Sequence, residues 1–122
     1  MQEFITEVFD ESQWPSILNA IVHLLRDRGT TIVEVKYGFV FERDLRGQRS
    51  PEDRIVPLGD LQTLIKQSLL DGTIEWGGGS DFRFAPVGLP LQFILCNDSD
   101  LHFSSPDRSL LVAVSRTLFR VV

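Results

Sequence analysis

Cysteine occurs once in this sequence, at Cys96, and that scarcity removes a group of functions at the outset. A single thiol cannot build an intramolecular disulfide framework, and with only His23 and His102 beside it no zinc-ligand spacing can be assembled. No apolar run approaches the ~20 residues of a membrane-spanning helix. The N-terminal stretch MQEFITEVFDE carries acids where a secretion signal carries bases. These features predict a cytoplasmic protein without membrane contact. Net positive charge is missing as well: the formal charge is −5, so the summed field repels phosphate backbones and favours basic partners. Nucleic acid is therefore not an expected partner.

Apolar material is plentiful. Of 122 residues 43% are hydrophobic, including nine Phe and two Trp, enough for one domain spanning 1–122 with a real core and too short a chain for a second. The stretch SQWPSILNAIVHLLRDRG sets Trp14, Ile17, Leu18, Ile21, Leu24 and Leu25 at helical spacing, with Ser12 as cap, Pro15 in the first turn and Gly29 as stop. Residues 31–43 alternate with period two, Val33, Val35, Tyr37, Phe39 and Phe41 sharing one parity, as one strand bent at Gly38 or as a hairpin. Residues 44–54, DLRGQRSPEDR, have no periodicity and read as a long surface loop, about which a basic island of Arg43, Arg46, Arg49 and Arg54 is interleaved with Glu42, Asp44, Glu52 and Asp53.

Helical spacing returns from Leu58, where Leu61, Leu64, Ile65 and Leu69 align between Asp60 and Gly72. Four short apolar segments, 73–76, 81–85, 91–97 and 101–104, predict an antiparallel meander. Segment 91–97, LQFILCN, is apolar on both parities and is expected at the centre of the sheet. Ser105, Pro106 and Asp107 then open a last helix that turns Leu110, Leu111, Val114 and Leu118 inward. The class is α+β: an antiparallel sheet of five to six strands with three helices, in the order α-β(β)-α-β-β-β-β-α, the helices mainly on one face.

Gly77, Gly78 and Gly79 invite a phosphate-loop reading, which requires a helix directly after them so that its amides and dipole meet the anion. The next residues are SDFRFAP, an alternating segment ending in proline. The glycines are expected to turn a hairpin between 73–76 and 81–85. In a meander, that turn and the turn NDSD at 97–100 share one end of the sheet. Trp76, Ser80, Asp81, Asp98, Asp100 and His102 are therefore the candidate binding residues.

Catalysis by Cys96, with His102 as base and Asp98 or Asp100 orienting it, is disfavoured because Cys96 lies in the most apolar segment with nothing basic beside it. A calcium loop is disfavoured because NDSDLHF lacks the glycine and the terminal Glu that such loops use. No metal and no cofactor are expected. In general profile, small, acidic and mixed α+β without a catalytic set, the chain resembles bacterial toxin-immunity proteins and, less closely, secretion chaperones. That resemblance implies a non-enzymatic module that binds a basic protein and inhibits a toxin. The alternatives are a chaperone-like homodimer, formed through apolar strand surface that three helices leave bare, and a small-ligand or enzymatic domain using the turns at 77–81 and 97–102.

Overall fold

Period-two and helical spacing yield six strands and three helices in the computed structural model, which describes residues 2–6, 9–39, 54–70, 80–95 and 100–119. The strands are β1 (Gln2–Ile5), β2 (Ile32–Phe39), β3 (Arg54–Pro57), β4 (Ser80–Pro86), β5 (Gln92–Leu95) and β6 (Leu101–Ser105). The helices are α1 (Trp14–Asp27), α2 (Leu61–Leu70) and α3 (Arg108–Phe119). One sheet holds all six strands in the order β1-β6-β5-β4-β2-β3, and every neighbouring pair is antiparallel. The α+β class, the three helices and the central position of the strand within 91–97 are as the sequence predicts.

Alternation divides the sheet into two unlike faces. Val33, Val35, Phe82, Phe84, Phe93, Leu95, Leu101 and Phe103 are buried on one face beneath Ile17, Ile21 and Leu25 of α1, Leu61 and Ile65 of α2, and Leu110, Leu111 and Val114 of α3. The intervening residues Glu34, Lys36, Arg83, Gln92, Ile94, His102 and Ser104 are exposed or half-buried, so the described helices form a single layer and leave the other, open face uncovered by any of them. A row of aromatic rings runs across the buried face. Phe84 and Phe93 stack with centroids 4.8 Å apart, Phe103 lies 6.4 Å beyond Phe93, and Phe4 lies 5.6 Å beyond Phe103. Aromatic neighbours at such spacing add roughly 0.5–1.5 kcal/mol per pair beyond the area they bury.

Helix ends differ from expectation in detail. The chain enters α1 through a 3₁₀ turn at Glu11–Gln13, with Asp10 rather than Ser12 at the cap position, and the Asp10 amide donates to Gln13 Oε1 at 2.8 Å. The cap of α3 is Asp107 rather than Ser105. Asp107 Oδ1 accepts from the Ser109 amide at 3.0 Å and from the Ser109 hydroxyl at 2.7 Å. Ser105 instead belongs to β6, buried, where its hydroxyl donates to the Pro90 carbonyl and accepts from the Asp107 amide at 3.0 Å. Gly29 does stop α1, at φ +86, a conformation that costs side-chain-bearing residues energy.

Two strands go beyond the expectation. β1 and β3 are four residues each and occupy the two edges of the sheet, where a short run gives little period-two signal. β3 also takes Arg54 out of the loop assigned to 44–54. β4 has β2 on one edge and, over Phe82–Phe84, β5 on the other; the first arm of the hairpin expected between 73–76 and 81–85 lies outside the described residues. Residues 73–76, Gly77 to Gly79, Cys96 and most of the loop at 44–54 lie outside the described residues. β2 continues through Gly38, paired with Asp81, rather than breaking there.

Candidate functional site

Register brings the described parts of the two predicted segments to one end of the sheet. Ser80 and Asp81 open β4 opposite Phe39 and Gly38, Phe82 pairs with Leu95, and Leu95 pairs with Leu101. The start of β4, the end of β5 and the start of β6 therefore coincide, with β4 and β6 about 10 Å apart across one intervening strand. Trp76 and Asp98 lie outside the described residues, and Ser80 and Asp81 are placed by their backbone.

Asp100 and His102 are two positions apart, which puts both on the open face. His102 Nε2 lies 3.0 Å from Asp100 Oδ1, and His102 Nδ1 lies 3.2 Å from Glu3 Oε1. The imidazole is thus clasped between two carboxylates. Its side chain is 22% exposed, that of Asp100 15% and that of Glu3 47%, so the clasp is shielded on the Asp100 side and open on the Glu3 side. Asp100 Oδ1 is buried and makes no aligned hydrogen bond, so its contact with the ring is one of charge and distance. An imidazolium donates from both nitrogens and matches both carboxylates, whereas a neutral ring has one donor.

The clasp is anchored from below. The Thr6 amide donates to the Leu101 carbonyl at 2.9 Å, and the Leu101 amide donates to the Thr6 hydroxyl at 3.0 Å. With Leu101 wholly buried, these bonds fix the end of β1 against the start of β6. Glu3 is the residue that sequence reasoning missed. Its signal was the short alternation in QEFI, where Phe4 points to the core and Glu3 away from it.

Comparison with protein-family models, curated proteins and solved structures finds no match. Among the described residues no group of three or more His, Cys, Asp or Glu side chains is placed to hold a metal ion. Both ring nitrogens of His102 already face carboxylates, which leaves neither directed at a nucleophile, as a general base requires. Two depressions lined by described residues contain neither Asp100 nor His102. One of them, about 150 Å³, lies on the open face between Glu34, Lys36, Arg83 and Gln92, where Lys36 and Glu34 form a 3.1 Å ion pair. His23 is exposed on α1, the flank position its helical phase predicts.

Proposed function

We propose that this chain is a non-enzymatic binding module that sequesters a basic protein partner, in the manner of a bacterial toxin-immunity inhibitor. The observation that supports the reading most is the pair of carboxylates, Glu3 and Asp100, held about one imidazole at the sheet end where β4 and β6 begin. A partner's guanidinium or ammonium group has two acceptors there, one exposed and one sheltered. The net charge of −5 draws such a partner in from a distance.

The reading also uses the rigidity of the platform. Glu3 and His102 stand on paired strands whose opposite face is fully packed, so their positions are set before a partner arrives, and preorganisation lowers the cost of binding. The acids need no rearrangement of the core to meet a cation.

The test is co-expression with the toxic domain of a secreted protein encoded beside this chain. The reading predicts protection of the cells and a stable complex with a basic C-terminal domain. Neither protection nor complex would remove it.

A further inference from the structure

The helical layer carries a groove that the sheet-end site does not use. Glu11, Trp14, Pro15 and Leu18 line one wall at positions i, i+3, i+4 and i+7, and Ile65, Lys66, Leu69 and Leu70 line the other from α2. The space between them is about 360 Å³, within the ~300–1,000 Å³ range of small-molecule sites. Gln62 Nε2 donates to Asn19 Oδ1 at 3.4 Å and bridges the two helices at one end. From that bridge the groove runs toward the start of α1 and the end of α2, so the walls are antiparallel. Leu70, 73% exposed, forms the lip at the far end.

The walls are apolar, and the charges on the rim are not equivalent. Glu11 stands in the 3₁₀ turn that precedes α1, on the wall opposite Lys66. Lys66 lies inside α2, and among the described residues no carboxylate is paired with it. Among the described lining residues Lys66 is the one cation, and it supplies an unpaired positive charge at the rim. We propose that the groove binds a small organic anion with an apolar body, an aryl or medium-chain carboxylate or sulfonate, its body against Trp14, Leu18 and Ile65 and its head at Lys66. This site is independent of the sheet-end reading, since it lies in the helical layer and not on the open face.

The probe is anilinonaphthalenesulfonate, with its uncharged analogue phenylnaphthylamine as the comparison, titrated into the full chain carrying Trp76→Phe so that Trp14 is the remaining indole. The expected result is saturable one-to-one binding of the sulfonate with quenching of Trp14, and weaker binding of the uncharged analogue. Lys66→Glu and Leu70→Glu, both at exposed positions, should each weaken the sulfonate by roughly five- to tenfold while the circular dichroism stays unchanged. No saturable binding overturns the proposal, as does equal affinity for the two dyes or indifference to both substitutions. Sedimentation showing a dimer that Leu70→Glu splits would assign the groove to a second copy of the chain and also overturn it.

Discussion

Glu3 and His102 are 99 positions apart in the chain and 3.2 Å apart in space. The contact ties the first strand to the last across one ladder, on the face that none of the described helices covers. Being partly exposed, the pair contributes at most about 1 kcal/mol to global stability, and its effect is expected to be local. Glu3→Gln should speed hydrogen exchange at the Thr6 amide, which bonds to Leu101, and leave the β4–β5 amides unchanged. Equal acceleration throughout the sheet would mean that the pair supports the whole fold.

Phe93 is the keystone of the aromatic row, fully buried and stacked at 4.8 Å on Phe84. Phe93→Ala should cost about 3–5 kcal/mol, the range for a large aromatic removed from a closed core. Phe4→Ala, at a half-buried position on an edge strand, should cost clearly less. Urea denaturation of the two variants measures both, and equal losses would contradict the one-layer core.

Gly29 and Gly88 are at φ +86 and +95. An added Cβ meets no atom within 4 Å at either position, so the penalty of an alanine there is conformational and not steric. Gly29→Ala and Gly88→Ala should each cost about 1–2 kcal/mol. Gly59→Ala, in equally open space without a positive φ, should be close to neutral by thermal melts.

Asp107 is a pH-dependent element of stability. The Ser109 hydroxyl and the Leu110 and Ser109 amides, opposed by some desolvation and aided by Arg28, hold its carboxyl below the ordinary value of 3.8. A depressed carboxyl stabilises the fold above its unfolded-state value, and the contribution disappears as pH falls through the folded value. The difference in urea midpoint between the native chain and Asp107→Ala should be full near neutrality and shrink well below 3.8. A gap that persists in strong acid would show that the ionised cap is not its source.

The parts of the fold that could be read from the chain are those with long periodic signals. Ile17, Ile21 and Leu25 fixed α1, and Leu110, Leu111 and Val114 fixed α3, because each stripe repeats over several turns. Phe93 and Leu95, flanked by Ile94 and Cys96, betrayed a central strand. The edges were harder: Gln2–Ile5 and Arg54–Pro57 are too short for period two to stand out, and an edge strand declares itself only through its partner. The sheet end was reachable because turn residues mark where strands stop. Its second carboxylate was not, because no local pattern pairs Glu3 with His102 across the length of the chain. The apolar surplus that suggested a homodimer comprised the strand Leu91 to Asn97, the stripe Val33, Val35, Tyr37, Phe39 and Phe41, and the terminal Leu118, Phe119, Val121 and Val122. Of these, Val33, Val35, Leu91, Phe93, Leu95 and Leu118 are buried within one chain, and Tyr37, Phe39, Phe41, Cys96, Asn97, Phe119, Val121 and Val122 lie outside the described side chains. Among the described residues, Ile32, Ile55 and Val87 form one exposed apolar corner of the sheet.

The central claim, that the acids at the sheet end receive a basic partner, is tested most directly by calorimetric titration of the neighbouring-gene toxin domain into the native chain, Glu3→Lys and Asp100→Asn. The account predicts a tight complex with the native chain, weakened at least about tenfold by each substitution and further by added salt. A complex of unchanged affinity in both variants would contradict it and place the partner elsewhere on the molecule.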